Sequence, residues 1–191
     1  MFPQTTEVLP LFHARKSLYA FSDEPVSAET LSGLFEAARW APSAFNEQPW
    51  AFVYATQAQP EAFARMVSLL LPGNQTWAGQ APVLLLVAAK THLDRNGNPN
   101  RHALHDTGMA TMSLLLQATA AGLMAHPMGG FDREQAEAAL GLPAGYEAVT
   151  MIALGYPADY ETLTPEQQQK EQRIRTRKAA ETFVFSGVWG E

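Results

Sequence analysis

Ala41-Pro42-Ser43-Ala44-Phe45-Asn46-Glu47-Gln48-Pro49-Trp50 reads as a polar loop between a helix and a strand, and its prolines leave it little backbone freedom. Each proline fixes its own φ and biases the residue before it toward extended geometry. Ser43, Asn46 and Gln48 bring a hydroxyl and two amides together at short spacing, a set that can donate and accept along a planar polar ligand edge. The same groups could equally cap the preceding helix and satisfy their own turn.

Working outward, Ser27 is placed to cap a helix with Leu31, Leu34, Phe35 and Ala38 on one face, ended by Pro42. On the other side, Trp50 to Thr56 predicts a strand, and Pro60 opens a helix carrying Phe63, Met66, Val67 and Leu70, closed by Pro72-Gly73. Pro82 to Ala89 predicts a buried strand. From about His102 to Leu123 the pattern is helical and apolar on nearly all sides, which predicts a central position, at a subunit interface. Asp132 with Gln135 reads as a capping box opening a short helix to Gly141, and Ala148 to Leu154 as a further buried strand. Thr164-Pro165 starts the last helix, followed by a strand-like tail over Thr182 to Phe185. The mixture is α+β or α/β, and the sequence leaves strand order open.

At 191 residues, 47% hydrophobic and 17% charged, the chain has the composition of one globular domain. A compact monomer of this length has a radius of gyration of about 16 Å and buries roughly 70% of its extended surface. Cysteine is absent, which removes thiolate nucleophiles, dithiol redox couples, iron–sulfur ligation and Cys-containing zinc sites. Redox chemistry would need a borrowed cofactor. There is no Gly-x-Gly-x-x-Gly, Walker loop, Gly-x-Ser-x-Gly or His-Glu-x-x-His. His102, His105 and Asp106 have helical metal-ligand spacing, yet they read better as a helix start with a buried, hydrogen-bonded aspartate, and no metal is expected.

The stretch from Thr107 to Phe131 carries no formal charge but is diluted by groups such as Gln117, His126 and Pro127, so a buried helix is expected rather than a membrane span. Met1 to Thr6 lacks a basic, apolar leader pattern, which suggests a cytoplasmic protein. A net charge of −6 argues against nucleic acid or anionic lipid as partners. The basic residues are clumped, however: Arg15-Lys16 near the start, and Arg173, Arg175, Arg177 and Lys178 near the end. Two basic islands in an acidic chain could neutralise one small anion.

Arg15-Lys16-Ser17 followed by Phe21, then Ala-Pro-Ser-x-x-Asn-x-Gln-Pro-Trp, resembles the opening of the nitroreductase family. Further matches come in order: Asn74 before the Pro82 strand, Asp106 on the long helix, the Pro127-Met128-Gly129-Gly130-Phe131 loop, and Arg175-x-Arg177. The resemblance covers nearly the whole chain. It implies an α+β, three-layer fold with a mainly antiparallel central sheet flanked by helices. It also implies one FMN-binding domain over residues 1–191, an intertwined homodimer, and a C-terminal arm, about 164–191, packed on the partner.

The implied activity is an FMN-dependent oxidoreductase that takes hydride from NADH or NADPH and reduces nitroaromatics, quinones or related small acceptors by a ping-pong mechanism. A flavin sensor with little turnover, or other flavin chemistry such as dehydrogenation, dehalogenation or flavin fragmentation, would carry the same resemblance. No catalytic side chain is implied. The FMN phosphate and ribityl chain fall to Arg15, Lys16, Ser17, Arg175 and Arg177, and the flavin at the subunit interface meets Pro42, Ser43, Ala44, Asn46 and Gln48 from the partner. Asn74, Pro127, Met128, Gly129 and Gly130 lie beside the ring. Tyr19 stands where relatives often carry a second basic residue near the flavin pyrimidine edge, so it brings no charge there.

Overall fold

A computed structural model describes residues 7–190, so the leader expectation at Met1 to Thr6 lies outside the described residues. Four strands, β1 (Trp50–Thr56), β2 (Val83–Lys90), β3 (Met124–Met128) and β4 (Tyr146–Gly155), form one sheet in the order β1-β2-β4-β3. Every neighbouring pair is antiparallel. The central strands β2 and β4 are buried on both faces, which is why Val83 to Ala89 shows no polar alternation.

Alternate side chains of β2 feed two cores. Leu84 and Leu86, with Met151 and Ala153 of β4, pack under α3 (Pro60–Ser68), α4 (Pro72–Ala78) and α6 (Arg133–Ala139) through Phe63, Met66, Trp77 and Ala136. Val83, Leu85 and Val87, with Ile152 and Leu154, pack on the other face under α2 (Ala28–Arg39) and α5 (Ala103–Ala120) through Leu31, Leu34, Leu114 and Ala118. The result is the expected three-layer α+β arrangement. Ser27 caps α2 by accepting from the Thr30 amide, and Asp132 caps α6 by accepting from the Gln135 amide. A short α1 (Pro10–Ala14) precedes the first basic island, and α7 (Pro165–Glu171) opens with a full capping box on Thr164 and Gln167.

Three expectations change. Pro72-Gly73 does not close a helix: Pro72 is the first residue of α4, where its missing N–H costs nothing. Pro127 and Met128 belong to strand β3 rather than to a loop, because β3 is an edge strand and a proline there removes no ladder bond. Thr182 to Phe185 pairs with no strand among the described residues, and Ala180–Thr182 is a single 3-10 turn. The long helix takes the expected central position against the sheet, with Ala110, Leu114 and Ala118 buried at i, i+4, i+8, while Met109 and Met112 are only half-buried and Leu104 is exposed.

Candidate active site: a cationic cleft and a pinned loop

The two basic islands meet in space. Arg175 donates from Nη1 to the Arg15 carbonyl at 2.5 Å and from Nη2 to the His13 carbonyl at 2.8 Å, tying chain positions 160 residues apart. Around this clasp lies an open cleft of about 880 Å³ whose wall includes Arg15, Lys16, Ser17, Arg175 and Arg177. Arg15 reaches the Ser17 hydroxyl at 3.4 Å. Its guanidinium is held below the usual range by partial burial and then by the neighbouring Arg175 and Arg177 charges. Among the described residues, none of these three arginines has a carboxylate within 4 Å. The cleft's own carboxylate, Glu171, accepts from the backbone amides of Tyr19 at 2.5 Å and Ala20 at 3.3 Å. Three guanidinium groups facing one space, none of them ion-paired among the described residues, suit an incoming dianion.

Tyr19 itself does not line the cleft. Its ring lies edge-on to Trp77 and to His126, both with centroids at 4.9 Å, and packs against the core under α3 and α4. His126 Nδ1 meets the Leu18 carbonyl at 2.8 Å and so joins the cleft floor to β3. Burial pushes its imidazole below the ordinary pKa; the bond to Leu18 opposes this, the Arg15 charge adds to it, and Glu171 opposes it.

Beyond β3, Asn74 and the glycine pair form one unit. Asn74 Nδ2 donates to the Gly130 carbonyl at 3.0 Å, as does the Leu71 amide at the same distance. A Cβ at Gly130 would sit 2.7 Å from that Asn74 nitrogen, so a side chain there would displace the Asn74 amide. Pro127 is half-buried and Met128 buried, and the Met128 carbonyl accepts from the Thr150 hydroxyl at 3.0 Å. Neither the Gly129 nor the Gly130 amide has an acceptor among the described residues, which leaves two donors for a ligand edge.

The Pro42 to Gln48 loop lies apart from the cleft wall of its own chain. Phe45, Asn46 and Gln48 all have positive φ, at 56°, 59° and 47°, a conformation that costs non-glycine residues roughly 1–2 kcal/mol each, less for asparagine. Internal bonds meet part of this: the Gln48 amide donates to Ser43 Oγ at 3.0 Å, and Gln48 Nε2 donates to the Asn46 carbonyl and side-chain oxygens. The anchor is Asp106 of α5, whose side chain is 3% exposed. It accepts from the Ala44 amide at 2.9 Å on one oxygen and lies 2.9 Å from His105 Nδ1 on the other. The reading of Asp106 as buried and hydrogen-bonded holds, and no metal-type cluster occurs among the described residues. Phe45 stays 70% exposed, with the Arg95 guanidinium 3.7 Å above its ring.

Sequence reading did not find Leu18, Tyr160, Lys170, Glu171 or Arg173 in the cleft wall. Arg173 was visible as part of a basic island; the others carry no local signal, because α7 is brought back over the Arg15 segment by the fold.

Fold, cleft and loop define a sheet-centred α+β protein with an arginine-lined cleft. A profile of the nitroreductase family matches residues 13–156. The chain is 38% identical over 133 residues to an uncharacterised 15.4 kDa protein of Mycolicibacterium smegmatis, across 70% of this chain and 88% of the relative. It is 32% identical over 160 residues to a Ralstonia nicotianae protein provisionally named NADH dehydrogenase/NAD(P)H nitroreductase, covering 74% and 80%. A solved oxidoreductase containing FMN superposes with a TM-score of 0.91 at 35% identity, over 98% of this chain and 95% of that one. A nitroreductase family protein of Streptococcus pneumoniae shares the fold, with a TM-score of 0.74 at 21% identity over 93% and 98%. The chain belongs to the nitroreductase family of oxidoreductases.

Proposed function

We propose that this protein is an FMN-dependent NAD(P)H oxidoreductase acting as a homodimer, with one FMN-binding domain per chain. The observation that carries the reading is the cleft: Arg15, Arg175 and Arg177 converge without a carboxylate partner, beside the Ser17 hydroxyl. The 35% identical solved relative contains FMN, and the Ralstonia relative is named for NAD(P)H. In this reading Arg15, Ser17, Arg175 and Arg177 hold the phosphate and ribityl end, with Lys16 at the rim. Each charge-assisted bond contributes roughly 1.5–3 kcal/mol, so three supply about 4.5–9 kcal/mol before ordering costs, much of the roughly 8 kcal/mol that micromolar affinity needs. The chemistry such a flavin supplies when bound is two-electron transfer from NADH or NADPH to a nitroaromatic, quinone or related small acceptor, in ping-pong order.

The chain's own part is to bind, orient and polarise. The Gly129 and Gly130 amides, without an acceptor among the described residues, are donors for the polar ring edge, and Asn74 holds their loop in place. The Arg15 cluster would serve the phosphate end, where its positive charge offsets that of a bound dianion. Tyr19, turned onto Trp77 and His126, packs into the core beside the cleft and brings no charge.

Dimerisation supplies the rest. The chain exposes 11644 Å², against about 9,000 Å² for a compact 20.9 kDa monomer. Several of the exposed large hydrophobic residues are C-terminal: Phe183, Val184, Val188 and Trp189, with the Phe185 and Trp189 rings tilted against each other at a centroid distance of 4.8 Å. An arm of this kind, from about residue 164, belongs on a partner subunit. The half-buried outer side of α5 gives a second contact face. Pro42, Ser43, Ala44, Asn46 and Gln48 then meet the partner's flavin, which accounts for a strained, pinned loop outside its own cleft. Among the described residues no helix is long and apolar enough to cross a membrane.

The visible spectrum of the purified protein, followed by anaerobic addition of NADH or NADPH, tests the reading. Yellow protein that bleaches and recovers its colour with a nitroaromatic or quinone is expected. Colourless protein that cannot be reconstituted with FMN overturns it, and yellow protein inert to both nucleotides replaces it with a sensor or a different flavin reaction.

A further inference from the structure

The segment that joins β2 to α5 is folded back on itself. The Asn100 amide donates to the Thr91 carbonyl at 2.7 Å, the Leu93 amide to the Asn98 carbonyl at 2.8 Å and the Gly97 amide to the Leu93 carbonyl at 2.8 Å, with Gly97 turning the chain at a φ of 71°. The tip of this excursion reaches the 42–48 loop through Glu47, whose side chain is almost fully buried. The Asp94 amide donates to Glu47 Oε2 at 2.8 Å, and Arg95 Nε lies 3.7 Å from Glu47 Oε1. From there the Arg95 guanidinium extends over one face of the Phe45 ring, 3.7 Å above its centroid.

Phe45 is exposed although it carries a large ring and a positive φ. That strain and lost burial outweigh what one exposed cation–π contact returns, so the return lies outside the residue's own chain. Arg95 is half exposed, and Glu47 approaches it at Nε, which leaves the Nη1 and Nη2 fork for another acceptor. Neither residue lines the arginine cleft. Phe45 nevertheless stands in the middle of the run Ser43, Ala44, Asn46 and Gln48, the groups read above as meeting the partner's flavin ring. Since the cofactor phosphate falls to the Arg15 cluster in that reading, the Arg95 charge is left for a different anion.

We propose that Phe45 and Arg95 select the oxidant, favouring planar aromatic acceptors that carry a carboxylate. The acceptor ring packs on the part of Phe45 that Arg95 leaves uncovered, and its carboxylate takes the guanidinium fork. Glu47 is a positioning residue, holding Arg95 over the ring and the Asp94 backbone against the loop. In the turnover so favoured, a nitro group is reduced by two electrons to nitroso with loss of water, NADH or NADPH is oxidised to its cation, and one proton comes from solvent. The inference rests on the flavin reductase reading above and deepens it by naming the acceptor class and the residues that choose it.

The test is a calorimetric titration of the oxidised, FMN-loaded protein with 4-nitrobenzoate and with 4-nitrobenzamide, its neutral counterpart of nearly the same shape. The expected result is several-fold to about tenfold tighter binding of the benzoate, the scale of one partly exposed ion pair, with the gap narrowing as salt rises. Arg95→Gln brings the two affinities together, and Arg95→Lys restores part of the gap. Phe45→Ala weakens both ligands several-fold. In steady state the ratio of kcat/KM for the benzoate to that for the benzamide falls by the same factor in Arg95→Gln; comparing that ratio between parent and variant cancels the intrinsic reactivity of the two nitro groups, and general damage to the fold would not move it. Equal binding by the unmodified protein, or a gap that survives Arg95→Gln, overturns the role of Arg95, and unchanged binding in Phe45→Ala overturns that of Phe45. A flavin that NADH or NADPH bleaches and both acceptors reoxidise without such a preference sinks this inference alone, whereas a protein that takes up no FMN, or whose flavin neither nucleotide bleaches, sinks the functional reading and the inference with it.

Discussion

Replacing Asp106 measures how firmly the 42–48 loop is held. The carboxylate is 3% exposed, accepts from the Ala44 amide at 2.9 Å, and meets His105 Nδ1 at 2.9 Å. Asp106→Ala strands the Ala44 N–H without an acceptor, at about 1–3 kcal/mol, and removes a second bond to the same carboxylate. Release of a desolvated charge offsets part of this, which leaves a net loss of about 2–4 kcal/mol. For a domain of this size each kcal/mol lowers Tm by about 2–4 °C, so a fall of about 6–12 °C is expected at the middle of that range. Asp106→Asn is the discriminating control. Its oxygen can keep the Ala44 bond while its amide donates to His105 in the other ring tautomer, so a loss of about 1 kcal/mol or less is expected. Urea and thermal unfolding followed by circular dichroism, at one fixed protein concentration, give both values. If Asp106→Asn costs as much as Asp106→Ala, or Asp106→Ala falls within 0.5 kcal/mol of the parent, the aspartate is not a hydrogen-bonding anchor.

Other outcomes follow from the same structure. A Cβ at Gly155 would collide with the Pro82 ring and come within 3.1 Å of Phe21, so Gly155→Ala should cost about 1–3 kcal/mol, while Gly129→Ala, with nothing within 4 Å, should leave unfolding unchanged within ~0.5 kcal/mol. His126 has a native pKa lowered mainly by burial, so below ~6.5 the unfolded chain binds the proton first. Stability should therefore fall as pH drops through that value toward the native pKa, and a pH series of urea melts should show the slope flattened in His126→Asn. Deleting residues 180–191 should lower the mass seen by light scattering from a dimer to a monomer and release flavin; a truncated dimer with full flavin would count against the arm's role.

Where local rules act alone, the fold could be read from the chain. Ser27, Pro60, Asp132 and Thr164 mark helix starts by chemistry that needs no tertiary help, and all four hold. Trp50 to Thr56 was legible as a strand to the residue, and Val83 to Lys90 nearly so. Pro72 misled because proline is read as a breaker, whereas a first helical position tolerates it; Pro127, placed in a loop by the resemblance, lies in an edge strand that tolerates it too.

The site was legible in kind and hidden in geometry. Two basic islands were plain in the sequence, but their union depends on Arg175 bonding carbonyls at Arg15 and His13, which no spacing reveals. The polar loop announced its hydroxyl and amides, yet its positive φ values fall on Phe45, Asn46 and Gln48 rather than on glycine, so the strain left no mark in the sequence. Tyr19 could be seen as a departure from the family; that it turns onto Trp77 and His126 is a matter of packing.

The central claim is that the arginine cleft holds the phosphate of FMN, and comparing FMN with riboflavin tests it most directly, since the two share a ring and differ in the phosphate. Fluorescence titration of the flavin-free protein should show FMN binding at least about 100-fold tighter than riboflavin, from two or more charge-assisted bonds at ~1.5–3 kcal/mol each. Arg15→Ala and Arg177→Ala should each narrow that gap by about tenfold or more without unfolding the chain. Equal affinities, or a gap untouched by both substitutions, would contradict the assignment.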